Sequence, residues 1–108
     1  MSLEVNVPQR FLDELLAYCL MDKRIEKVIL YGSRARGDFN TTSDIDLAIY
    51  TAKNVSHTKQ NIIEANIQEM PTHLKMDIVF VDRLKKAELL ANIQREGVVL
   101  YEQQGTAL

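Results

Sequence analysis

At 108 residues, with 46% hydrophobic and 26% charged side chains, the chain has the length of one globular domain over 1–108. A chain of this size buries roughly 60–70% of its unfolded surface, enough for a small core. Thirteen basic residues against fifteen acidic ones leave a net charge of -2, which argues against a protein whose main affinity comes from neutralising many phosphates.

The first predicted element is an amphipathic helix over 8–21. Pro8 suits a first helical turn, and Phe11, Leu12, Leu15, Leu16, Cys19 and Leu20 recur at helical spacing. Cys19, the one cysteine, falls on that apolar stripe and is read as core; alone it excludes an internal disulfide and suits a reducing cytoplasm. Lys27 to Tyr31 is short, apolar and β-branched and ends at Gly32, the pattern of a buried strand. Asp44 to Tyr50 predicts a second strand. Residues 56–70 predict a helix capped by Ser56, with Ile62, Ile63, Ile67 and Met70 in one stripe and Pro71 closing it. Lys75 to Val81 predicts a third strand. A helix capped by Asp82 is expected over 83–96, with Leu84, Ala87, Leu90 and Ile93 inward and Gly97 as its stop. Val98 to Glu102 predicts a short final strand or extended tail. The order α-β-β-α-β-α-β describes an α/β (α+β) domain, a small mixed sheet with helices packed on one face. No apolar run approaches the ~20 residues of a membrane span, and the N-terminus lacks the layout of a signal peptide.

The chemistry concentrates in "YGSRARGDFNTTSDIDLAIY", Tyr31 to Tyr50. Alternation along a strand puts Asp44 and Asp46 on one face, about 6.6–6.8 Å apart, with Ile45, Leu47 and Ile49 on the other. The third strand repeats the pattern: Asp77 projects with Val79 and Val81, away from Met76, Ile78 and Phe80. If the two strands are neighbours in register, three carboxylates converge. Such a set repels itself and is costly to desolvate, and Mg²⁺, which favours carboxylate oxygens and substrate phosphates, resolves the conflict. Gly32 ends a strand where backbone can approach a ligand closely, and a helical turn starting at Ser33 would aim free N–H groups at a phosphate. Arg34 and Arg36 add permanently charged planar donors. Together these describe a site for a nucleoside triphosphate with Mg²⁺. Asp38 and Asp82 are better explained as turn and cap. His57 and His73 read as surface, with no third partner at zinc spacing. Tyr31 and Tyr50 read as strand packing, with the nucleotide pocket as the other use of either ring.

Gly32-Ser33, ten residues, then Asp44-Ile45-Asp46, with Asp77 on a later strand, resembles the nucleotidyltransferase signature of the DNA polymerase β superfamily. Among its members the chain resembles the minimal nucleotidyltransferases, many of them antitoxin partners of HEPN-domain ribonuclease toxins. The resemblance spans nearly the whole chain, strongest from Val28 to Val81, and implies a polymerase-β-like fold. It implies that Gly32 and Ser33 hold the triphosphate, with Arg34 and Arg36 beside it. Asp44 and Asp46 would bind two Mg²⁺ ions, and Asp77 would bind the catalytic one and orient or deprotonate the attacking hydroxyl. The implied reaction moves AMP from ATP to a hydroxyl, the implied acceptor being a tyrosine of a HEPN-type toxin. The implied location is the cytoplasm, without membrane or nucleic acid as direct partner. The rival from another class is a non-catalytic antitoxin that neutralises its partner by stoichiometric binding. Oligomeric state and base preference are not legible in the sequence.

Overall fold

In the computed structural model, which describes residues 5–104, every strand of the sheet is short and the central two are paired with a strand along each edge. The elements run α1 (Gln9–Met21), β1 (Ile25–Tyr31), a one-turn α2 (Ser33–Arg36), β2 (Ile45–Thr51), α3 (His57–Gln68), β3 (Met76–Phe80), a 3-10 turn (Val81–Arg83), α4 (Ala87–Glu96) and β4 (Val98–Glu102). The four strands lie in the order β3-β2-β1-β4. β1 pairs antiparallel with β2 and with β4, whereas β2 and β3 are parallel, joined through α3 as a parallel pair requires. This is the expected mixed α/β sheet. The ends of the expected 1–108 domain, residues 1–4 and 105–108, lie outside the described residues.

Alternation on β2 decides the two faces. Ile45, Leu47 and Ile49 are fully buried against Phe11, Leu15 and Cys19 of α1 and Ile63 and Ile67 of α3. Each such side chain contributes roughly 1.5–3 kcal/mol by leaving water. The opposite face carries Asp46, Ala48 and Tyr50. Here Ala48 and Ile29 pack on Ile93 of α4. Thus α1 and α3 cover the one face as expected, and the short α4 lies over part of the other. Gly97 ends α4 at its expected stop, and a Cβ there would collide with Ile29, so the helix end rests directly on β1.

Two local expectations change, and the final strand keeps its expected bounds. Helix α4 begins at Ala87 rather than 83, because Val81–Arg83 form a 3-10 turn and Asp82, the expected cap, instead accepts a 2.9 Å hydrogen bond from Gln60 Nε2. Shifting the start leaves Ala87 exposed and only Ile93 fully buried. On α3 the stripe narrows to Ile63 and Ile67, while Ile62 is 51% exposed and the buried neighbour is Gln60. Val98–Glu102 is a true edge strand, with Val98 and Val99 exposed.

Candidate active site

The register of the parallel pair places Asp46 of β2 directly beside Asp77 of β3. On the other side of β2, the antiparallel register sets Tyr31 opposite Asp46. Tyr31, Asp46 and Asp77 therefore form one row across three adjacent strands. Asp44 stands just before β2, exposed, and its charge reaches Asp46. Burial, first, and then the charges of Asp77 and Asp44 push the Asp46 carboxyl up to about 6, with Arg36 opposing the shift. Burial beside Asp77 and Asp46 pushes the Tyr31 phenol up to about 12, so this ring stays neutral. Asp77 itself is exposed on the outermost strand.

Gly32 turns the chain off β1 with φ 75°, a left-handed conformation that other residues rarely adopt. A Cβ at Gly32 would land on Asp46 Oδ2, so the carboxylate rests against bare backbone. From there Ser33–Arg36 make a single helical turn, closed by Arg36 N–H to Gly32 O at 3.1 Å and Gly37 N–H to Ser33 O at 2.9 Å. The N–H groups of Ser33 and Arg34 open that turn and have no acceptor within it. The expected helical start at Ser33 is thus present, next to the carboxylates.

The two arginines part company. Arg34 is only 5% exposed, and its guanidinium donates to main-chain oxygens: Nε to Ser43 O at 3.0 Å, Nη1 to Asn6 O at 2.8 Å, Nη2 to Thr41 O at 3.4 Å and Asn40 O at 3.5 Å. Phe39 stacks on it 4.9 Å from the ring centre, and Asn6 Nδ2 returns a bond to Arg34 O. The structure thus gives Arg34 a different role from the expected phosphate contact: it ties the 38–44 loop and the segment before α1 together. Arg36 stays at the site, exposed, bridging Asp38 at 3.1 Å and Glu96 of α4 at 3.6 Å. Sequence reasoning missed Glu96 and the anchoring of Arg34. Glu96 is remote in sequence, and main-chain acceptors leave no sequence signal. His57 and His73 are exposed and Cys19 is core, as expected.

Among the described residues no three Asp, Glu, His or Cys side chains already enclose a point that could hold a metal. The donor chemistry nevertheless fits a hard divalent cation: three carboxylates, two of them in adjacent register, with Asp46 half-buried and raised by that burial and then by its acidic neighbours. A cation held there would supply the charge that this row lacks.

The sequence model described as "Polymerase beta, Nucleotidyltransferase" matches residues 13–106. No curated protein sequence matches the chain. Solved structures are similar in fold. A tri-AMPylated Shewanella oneidensis HEPN toxin in complex with MNT antitoxin aligns at TM-score 0.63 and 14% identity, over 88% of this chain and 72% of that one. A toxin-antitoxin solved with AMP-PNP aligns at TM-score 0.61 and 18% identity, over 86% and 74%. A Sulfolobus solfataricus protein described as a nucleotidyltransferase aligns at TM-score 0.54 and 20% identity, over 87% and 77%.

Proposed function

The chain belongs to the polymerase β nucleotidyltransferase family, and from that premise we propose that it transfers AMP from ATP to a hydroxyl of a partner protein of the HEPN toxin type. The observation that carries the reading is the row of Asp46 beside Asp77 with Gly32 packed bare against Asp46. Two carboxylates side by side, with that of Asp46 raised by burial and then by the charges of Asp77 and Asp44, next to a turn that presents N–H groups, suit a metal-bound triphosphate. The toxin-antitoxin likeness of fold, which includes a tri-AMPylated toxin complex, supports the acceptor class.

In this reading Gly32, Ser33 and Arg36 receive the triphosphate, and Asp44, Asp46 and Asp77 hold Mg²⁺. Two ions, when bound, neutralise the triphosphate and favour the attacking oxygen as alkoxide. The acceptor O–H oxygen attacks the α-phosphorus, the bond from that phosphorus to the α–β bridging oxygen breaks, and pyrophosphate leaves. Asp77, exposed at the rim, orients the hydroxyl and takes its proton. The protein supplies position and charge rather than covalent chemistry. The single buried thiol and the use of ATP suit a cytoplasmic enzyme; among the described residues no helix is long and apolar enough to cross a membrane.

The test uses two labelled nucleotides. With Mg²⁺ and a HEPN-type toxin, ATP labelled at the α-phosphate should mark the toxin, and ATP labelled at the γ-phosphate should not. Label arriving from the γ-phosphate would make the chain a kinase. Neutralisation of the toxin with label from neither would make it a stoichiometric binder.

A further inference from the structure

The strand that carries Asp77 is the last in the sheet, so among the described residues its outer edge has no neighbour. The direction of its backbone groups follows from one bond: Ile45 N–H donates to Lys75 O at 2.9 Å, so the carbonyl of Lys75 faces β2. Main-chain groups alternate along a strand, so those of Asp77 and Val79 also face β2 and those of Met76, Ile78 and Phe80 face outward. The outward set is confirmed at one end, where Gln68 Nε2 reaches Met76 O at 3.3 Å. Ile78 and Phe80 are left with outward N–H and C=O groups. Natural sheets blunt such edges with lysine, proline or a bulge. "MDIVF" has neither residue, and its pairing with β2 runs without a register shift, whereas the other edge strand, β4, has one in its pairing with β1. The one charge within β3, Asp77, points to the site face. A cavity of about 230 Å³ runs along this edge, lined by Ile78, Val79, Phe80 and Leu84, with Glu64 and Arg83 supplying one charge of each sign.

We propose that the outer edge of β3 is the acceptor dock: an extended segment of the partner pairs with the Ile78 and Phe80 backbone as a fifth strand. The inference rests on the nucleotidyltransferase reading above and adds how the second substrate is held. Its occupant follows from continuity with the site. Tyr31, Asp46 and Asp77 already form a row across β1, β2 and β3. A strand added beside β3 extends that row by one residue, on the same face as both carboxylates. Because the Asp77 backbone faces β2, an antiparallel guest places its residue opposite Asp77 in the narrow kind of pair, Cα atoms about 4.5 Å apart. A tyrosine or serine at that position holds its hydroxyl beside Asp77, where the transfer needs it. Main-chain pairing supplies the affinity, and alternate side chains of the guest meet the apolar groove or the site. The sheet edge thereby positions an acceptor from another chain.

Amide exchange followed by NMR on the wild-type chain, with a HEPN-type toxin and a non-hydrolysable ATP analogue with Mg²⁺, reads the dock directly. The Ile78 and Phe80 amides should slow at least tenfold on adding the toxin and the Asp77 amide should change little. A second arm uses Ile78→Pro, which removes an outward N–H that an edge strand can spare without losing a bond to β2. That variant should keep its stabilisation by Mg²⁺-ATP and lose at least tenfold in transfer to the toxin. If the toxin is adenylylated while the two amides exchange as in the free chain, the dock is elsewhere and only this inference falls. If the amides are already protected in the chain alone, and more so as its concentration rises, a second copy occupies the edge and the proposal is overturned. If Mg²⁺-ATP neither stabilises the chain nor supports transfer, the enzyme reading fails, and the inference with it.

Discussion

Asp46 is where burial, repulsion and function meet. Its carboxyl, raised to about 6, keeps its proton in the folded chain at pH values where an unfolded aspartate has lost it. The folded state then binds more protons, so between about pH 4 and pH 6 stability falls as pH rises, and the cost persists above that window. In melts without divalent metal, the wild type should lose stability between pH 4 and pH 6, and Asp46→Asn should flatten that slope. Mg²⁺-ATP should bind more weakly below about pH 6, where the proton competes with the metal. A wild-type slope that survives the substitution would assign the titration to another group. Arg36 and Arg34 make a second, paired prediction. Arg36 opposes the Asp46 shift, so Arg36→Gln should raise the Asp46 pKa further and weaken Mg²⁺-ATP binding, with little change in folding. Arg34→Gln should lower stability by about 2–3 kcal/mol, because four main-chain oxygens lose a charged donor. Denaturant unfolding of both variants, with and without Mg²⁺-ATP, separates the two roles. Equal losses of stability would erase the distinction. Gly32→Ala joins a strained φ to a clash with Asp46 Oδ2, and should abolish nucleotide-induced stabilisation even where the chain folds.

At the scale of elements, α3 offers the simplest check of local encoding. Ser56 caps it, its Oγ accepting from Lys59 N–H at 3.2 Å, so Ser56→Ala should cost about 1 kcal/mol in a denaturant melt, and no loss would mean that solvent replaces the cap. This cap, the helices and all four strands were legible in the sequence, because apolar periodicity and turn residues act locally. So were the faces that carry Asp46 and Asp77, because alternation along β2 and β3 is a property of each strand alone, whereas the row itself needed the two strands to be neighbours in register, which the sequence left as a condition. What was not legible depends on contacts far apart in sequence. Asp82 looks like a helix cap and is recruited by Gln60, twenty-two positions earlier, which delays α4. Arg34 looks like a phosphate ligand and is buried by main-chain oxygens reaching from Asn6 to Ser43. Ile62 looks like core, but α3 meets the sheet on the narrower stripe of Ile63 and Ile67.

At the scale of the molecule, the division of faces makes the chemistry affordable. One face of the sheet is given to α1 and α3 and holds most of the core, while the other is only partly covered by α4 and carries the carboxylates at the N-terminal ends of β2 and β3. The main core and the carboxylates thus lie on opposite faces of the same strands. Removing one carboxylate should therefore spare the fold: Asp44→Asn should melt as the wild type does and lose transfer by about 100-fold or more. The intact mass of a HEPN-type toxin, taken after incubation with this chain, ATP and Mg²⁺, tests the account most directly. The account predicts a gain of one or more AMP units with the wild-type chain and none with Asp44→Asn. A toxin neutralised equally by both, with its mass unchanged, would contradict it.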